Sequence, residues 1–166
     1  MIGHTGSGKT TFSRALAQRL GVPHVELDAL HWRSGWVIAP PEDVQAQVGE
    51  LMAGEGWVID GNWTGTLGTT VFDAADEIVW LDLPFQTTFR RLLRRTLSRL
   101  RVREPLWETT NRETVRSAFL SRDSILLYSI TNHRRRRRRS LELVENRPHV
   151  RLRSPADVEH YLAEAR

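Results

Sequence analysis

Apolar positions along this chain fall into two alternating rhythms. Short apolar runs bounded by turn residues predict strands: His24 to Asp28, Trp57-Val58-Ile59 ending at Asp60, and Glu77 to Leu83 closed by Pro84. Helical spacing separates them. Phe12, Ala15, Leu16 and Leu20 recur on one face, with Gly21 and Pro23 as the stop. Pro41, Glu42 and Asp43 open a second helix, whose apolar positions are Val44, Val48, Leu51 and Met52 and whose end is marked by Gly54 and Gly56. Farther on, Phe85, Phe89, Leu92, Leu93, Thr96, Leu97 and Leu100 predict a buried stripe, with Arg90, Arg91, Arg94 and Arg95 interleaved. Residues 101–112 lose the period and contain Pro105, which reads as a loop or lid. A long helix is expected from about Glu113 towards Val144, then a break at Pro148 and a last strand from His149 to Leu152. Ser154, Pro155 and Asp157 have the spacing of a capped closing helix. Strands alternating with helices predict an α/β domain around a parallel sheet.

Length and composition narrow the class. The chain has 166 residues, enough for one domain with a substantial core. The absence of cysteine excludes disulfides, thiolate metal sites and a cysteine nucleophile. No apolar run approaches the roughly 20 residues of a membrane span and no leader precedes the first motif, so a cytoplasmic setting without membrane contact is expected. Net charge is +4, but residues 1–83 balance at −7 and residues 84–166 at +11. Every basic residue of the second half is arginine, because Lys9 is the sole lysine. Such asymmetry fits an anionic ligand or partner, or else a solvated arginine face. Arg134–Arg139 form an unbroken run which, on a helix, would point around the whole circumference.

The most informative segment is Gly3-His4-Thr5-Gly6-Ser7-Gly8-Lys9-Thr10, which fits G-x-x-x-x-G-K-[ST] and precedes a helix. Glycines let backbone N–H groups turn inward as a nest for phosphate oxygens, and the helix N-terminus adds a favourable dipole. Gly3, Thr5, Gly6, Ser7, Gly8, Lys9, Thr10 and Thr11 are therefore candidate ATP-binding residues. Lys9 is suited to the β- and γ-phosphates, and Thr10 to Mg²⁺. Only Met1 and Ile2 precede the motif, whereas a feeding strand usually has about five residues. The expectation is a truncated first strand, with the natural start upstream.

Ligands of parallel α/β sheets collect at the carboxyl ends of strands. Asp60, between a hydrophobic strand and Gly61, fits a magnesium-water ligand, while Asp82 reads equally as functional or as a strand terminator. Asp28, His31, Trp32 and Arg33, with Trp36 nearby, read as a small-molecule acceptor pocket. There Asp28 would accept or orient a hydroxyl proton and Arg33 would hold an anionic group. Asn62 and Trp63 would line the same cavity. A packing role for His31 and the tryptophans is the alternative.

The segments GHTGSGKT, LDALHWRSGW, WVIDGNW, EIVWLDLP, the arginine-rich helix and VRLRSP together resemble the adenylate-kinase-like P-loop group that includes DNA topology modulation proteins. The resemblance spans nearly the whole chain in order. It implies a P-loop NTPase fold: a five-stranded parallel sheet in the order 2-3-1-4-5, flanked by helices. It also implies one domain over 1–166, with an arginine-rich lid at about 96–118. Arginines seven and eleven residues beyond the strand-four proline implicate Arg91 on the ATP base and Arg95 on the transferring phosphates, with Arg112 a weaker phosphate candidate. The base-binding loop would fall near Arg153, Ser154 and Pro155. Adenylate kinases carry D-G-F-P-R where this chain has Asp60-Gly61-Asn62-Trp63-Thr64, and the missing arginine argues against AMP as acceptor. Asp28 with His31 is more similar to small-molecule kinases acting on sugar acids or shikimate.

The expected function is a Mg²⁺- and ATP-dependent phosphotransferase with an unidentified small acceptor, acting as monomer or dimer. Lys9, Asp28 and Arg95 are its candidate catalytic residues. Two alternatives stand beside it: a nucleic-acid-associated ATP-binding protein using Arg134–Arg139, and a simple ATPase.

Overall fold

A computed structural model describes residues 1–61, 64–102, 105–107, 109–115, 118–119 and 124–165. Strand β1 (Ile2–Gly3) leads through the glycine-rich loop into helix α1 (Lys9–Leu20). Strand β2 (His24–Glu26) passes directly into the short helix α2 (Leu27–His31). An antiparallel hairpin follows, β3 (Trp32–Arg33) on β4 (Val37–Ile38). Helix α3 (Pro41–Met52) has proline in its first turn and Glu42 and Asp43 beside the free amides. Strand β5 (Val58–Asp60), helices α4 (Thr64–Leu67) and α5 (Thr70–Asp73), and strand β6 (Ile78–Leu81) come next. The arginine-rich half holds α6 (Phe85–Val102), α7 (Ile125–Val144), β7 (His149–Leu152) and α8 (Pro155–Glu164). The expected capping box at α8 is present, with Ser154 and Asp157 exchanging hydrogen bonds.

The sheet departs from the expected five strands in the order 2-3-1-4-5. A three-stranded parallel sheet, β1-β6-β7, stands beside a separate parallel pair, β2-β5. At the seam, the Met1 nitrogen donates to Ile59 O at 2.6 Å and Gly61 N donates to Met1 O at 3.2 Å. The strand meant to join the halves has only two residues, too few to carry a ladder on both edges.

Alternation of side chains across these buried strands divides the core. Val58, Val79 and Leu81 face α1, whose Phe12, Leu16 and Ala17 pack there, and Leu152 joins them. Ile59 turns the other way onto α3, against Val44 and Val48. Ile78 and Trp80 meet Ile2, Phe72 of α5 and Val144 of α7.

Other boundaries moved as well. The strand read as His24 to Asp28 stops at Glu26, so Asp28 stands in the first turn of a helix. Helix α6 continues to Val102, inside the segment expected to open the lid, and α7 begins at Ile125, well after Glu113. Within α6 the fully buried line is Thr88, Leu92 and Thr96, at helical spacing, while Leu97 is half exposed. Leu92→Ala should therefore destabilise the protein by about 2–5 kcal/mol, measured as a lower urea midpoint at unchanged slope.

Candidate functional site

The glycine-rich loop is shaped by what presses on it. Gly3 has φ +156°, and a Cβ there would lie 2.8 Å from Leu81 O. Gly6 has φ +83°, and its Cβ would lie 2.3 Å from Thr88 O and 3.0 Å from the Leu92 Cβ. Only glycine allows the loop to sit so tightly on β6 and α6. Within the loop, Ser7 N donates to His4 O at 3.0 Å. Ser7 O accepts from the Arg91 Nη1 at 3.2 Å, so α6 reaches over the loop with one of the expected arginines. Gly8 caps α1 in a left-handed conformation with no side-chain cap hydrogen bond.

Lys9 is partly buried, and its Nζ donates to His4 O at 3.5 Å. Desolvation lowers its pKa, while Asp60 and Asp28 act to raise it; Arg136 and Arg95 lower it further. Asp28, Asp60 and Arg95, from three separate segments, thus all act electrostatically on Lys9. Arg95 has an exposed side chain whose inner part is desolvated, which lowers its pKa together with Arg99, while Glu113, Asp28 and Glu26 act to raise it. Asp60 is 2% exposed. Its Oδ2 has no hydrogen-bond partner among the described residues, the nearest cationic candidate being His24 Nε2 at 3.7 Å. Thr10 is partly buried and Thr11 exposed at the start of α1. Among the described residues no group of three or more His, Asp or Glu forms a metal cage. A buried orphan carboxylate oxygen at the end of β5, with the Thr10 hydroxyl in the first turn of α1, nevertheless suits a hydrated Mg²⁺ held mostly by water and phosphate.

Glu26 is a neighbour that sequence reasoning missed. In the parallel pairing of β2 with β5 it stands opposite Asp60, at the carboxyl end of both strands. The usable signal was its place as the last extended residue before Leu27-Asp28. Trp107 Nε1 donates to Glu26 Oε1 at 3.0 Å, which brings the segment after α6 onto this edge.

That segment is clasped to the β3–β4 hairpin. Asn111 is buried; its Nδ2 donates to Arg33 O at 2.9 Å and its Oδ1 accepts from Trp36 N at 2.8 Å. Trp36 and Trp107 meet edge-to-face with centroids 6.2 Å apart, and Trp32 meets Trp36 at 5.5 Å. Both Trp36 (φ 60°) and Trp107 (φ 51°) are left-handed, a conformation that bulky residues hold only when their surroundings impose it. His31 is buried edge-on to Trp32, and burial lowers its pKa.

Arg33, expected to hold an anionic group, pairs with a carboxylate of the protein itself. Its guanidinium donates to Asp43 Oδ2 in an ion pair about half exposed on both sides, so it is engaged at the surface by α3. Asn62 and Trp63 lie outside the described residues.

Across the molecule, Asp82 is gripped by two arginines. Arg137 Nε donates to its Oδ1 and Oδ2 at 3.0 and 3.2 Å, and Arg151 Nε donates to Oδ2 at 2.9 Å. Arg151 also lies over the Trp80 ring at 4.5 Å. An open cleft of about 440 Å³ runs along this clamp, lined in part by Phe85, His133, Arg137, Arg151 and Arg153. Arg153 is exposed there, its backbone N–H donating to Asp157. The arginine run is likewise sorted by the fold. Arg136 is partly buried, its Nε 2.6 Å from the Tyr128 hydroxyl; Arg137 is exposed but engaged by Asp82, and Arg134, Arg135, Arg138 and Arg139 are exposed.

The first 59 residues match the family model described as ATPase family associated with various cellular activities (AAA). The match covers the glycine-rich loop, α1 and the chain as far as Ile59, and supports a P-loop ATPase reading with ATP as ligand. None of the curated proteins compared with the chain matches it. Among the described residues, no helix is long and apolar enough to cross a membrane.

Arg33→Ala should change stability by no more than about 1 kcal/mol, as for other exposed pairs, and should leave ATP affinity unaltered in calorimetry. An anion-holding role in the acceptor pocket would instead show as a raised KM.

Proposed function

We propose that the protein is an ATP-dependent phosphotransferase acting on a small molecule that bears a hydroxyl group. The observation that carries this reading is that Asp60, Asp28 and Arg95 all act on the charge of Lys9, the first residue of α1 after the glycine-rich loop. A bare ATPase needs the lysine and a cation site; a second carboxylate, Asp28, with an arginine opposite suits an acceptor hydroxyl.

In this reading the loop amides from Gly3 to Thr10 and the Lys9 ammonium hold the phosphates. Thr10 and Asp60 would hold Mg²⁺, which when bound neutralises phosphate charge. Arg91, lying over Ser7, and Arg153, in the open cleft, serve the nucleoside end. Asp28 takes the proton from the acceptor hydroxyl as its oxygen bonds to the γ-phosphorus and the bond to ADP breaks. Arg95 stabilises charge on the transferring group. Trp32, Trp36, Trp107 and Glu26 wall the acceptor side, and the clasp through Asn111 limits water entry. Catalysis of this kind is chiefly positioning and electrostatics.

Lys9→Ala should lower ATP turnover by at least about a hundredfold, with stability retained or raised because a partly buried charge is removed. Turnover by that variant at the wild-type rate would remove the P-loop reading. Product analysis with a panel of polyols, sugar acids and nucleoside monophosphates separates kinase from ATPase: a phosphorylated acceptor in the first case, free phosphate alone in the second.

A second reading, association with nucleic acid, is favoured by one observation: Arg134, Arg135, Arg138 and Arg139 share the outward side of α7. Four phosphate contacts would cost roughly a hundredfold in affinity between 50 and 200 mM salt. A flat salt response in a fluorescence-anisotropy titration with duplex DNA would remove this reading.

A further inference from the structure

Behind the phosphate loop, on the side away from Asp28, the loop rests on helix α7 through two histidines. His4 of the loop and His133 of α7 meet with ring centroids 4.8 Å apart, inclined at 60°. Phe85 closes the far side, its ring 5.0 Å from that of His133. The His4 Nδ1 lies 3.1 Å from Thr5 O. A carbonyl only accepts, so Nδ1 carries the hydrogen and the Nε2 of neutral His4 is a bare acceptor. That Nε2 is buried without a partner among the described residues, and so is the Nδ1 of His133.

Two orphaned ring nitrogens on facing rings call for an explanation, since buried polar groups are nearly always paired. A small cavity supplies it. Its volume is about 20 Å³, room for one water, and its lining includes both histidines with Asp82, Arg136, Arg137 and Ser140. A water there would find more than the two polar partners it needs.

We infer that His133 is a positioning residue of the phosphate loop, holding it from behind through one water between its Nδ1 and the Nε2 of His4. The water donates one hydrogen to His4 Nε2, which fixes the tautomer whose Nδ1–H holds Thr5 O. The loop backbone at 4 and 5, which precedes the phosphate-facing amides, is thereby tied to α7. Burial, more than the neighbouring charges, favours the neutral form of both rings, and on His4 the hydrogen bond to Thr5 O acts the other way. Burial lowers the pKa of each ring; Arg136 and Lys9 act on His4 in the same sense, and Arg134 and Arg137 on His133, with Asp82 opposing. The inference rests on the loop's being the ATP site, and extends it to a residue on the arginine-bearing helix, about 130 positions away in sequence.

The test uses the full chain with ¹⁵N-labelled histidine. Long-range ¹H–¹⁵N spectra at pH 7.5 should show His4 as the Nδ1–H tautomer, with its Nε2 resonance shifted by an accepted hydrogen bond. In His133→Phe, which keeps the ring contact with Phe85 but cannot bind the water, that resonance should move to the bare-acceptor position. The MgATP dissociation constant should rise about tenfold, the size of one lost water-mediated hydrogen bond. His133→Gln, which restores a polar atom, should recover most of the affinity. A His4 Nε2–H tautomer in the wild type would overturn the inference, as would a His4 resonance indifferent to His133→Phe. The tautomer measurement needs no nucleotide. Failure of ATP to bind the wild type would therefore sink the P-loop reading alone.

Discussion

The close approach of the loop backbone to β6 and α6 governs the rest of the site. With 2.8 Å between a hypothetical Gly3 Cβ and Leu81 O, and 2.3 Å between a Gly6 Cβ and Thr88 O, no side chain fits at either position. A backbone wedged so tightly has little freedom left, and its N–H groups are held in the turn that a phosphate needs before one arrives. Preorganisation of this kind removes the ordering cost from the binding step. It also accounts for the buried line of α6. Thr88 and Thr96 are small enough to let the helix draw close, and Leu92 fills the space beside Gly6. Arg91, one residue before Leu92, is thereby carried to Ser7 O.

The opposite wall is set by charge. Asp82, nearly buried, is held by Arg137 of α7 and Arg151 of β7, and this three-residue clamp ties α7 and the last strand to the end of β6. Such a cluster is weak evidence for net stability, but removal of the single carboxylate would leave two arginines crowded together. What the clamp supplies is registry. It orients α7 so that His133 and Arg136 face the loop and the outer arginines face solvent.

At the β3–β4 hairpin, order comes from an unusual junction. Two tryptophans in left-handed conformation lean on each other across the gap between the hairpin and the segment after α6, and buried Asn111 bonds to both the Arg33 carbonyl and the Trp36 amide. Strain held in this way persists where packing over-determines it. The hydrogen bond from Trp107 to Glu26 sets the strained residues against the carboxyl end of β2.

Local chemistry determined much of this from the sequence. The G-x-x-x-x-G-K-T loop, the apolar runs of β5 and β6 and the Ser154–Asp157 box are each settled within ten residues, so their patterns were legible. Long-range placement was not. Asp28 lies past a strand end because Leu27 buries itself against Ile59 and Val44, a contact no spacing reveals. Arg33 was claimed by Asp43 and Glu26 was recruited beside Asp60, because pairing across strands and helices decides which side chain meets which. Six identical arginines carry no local signal at all. Only the packing of α7 against β1 and Asp82 separated partly buried Arg136 and the Asp82-bound Arg137 from the four that face water.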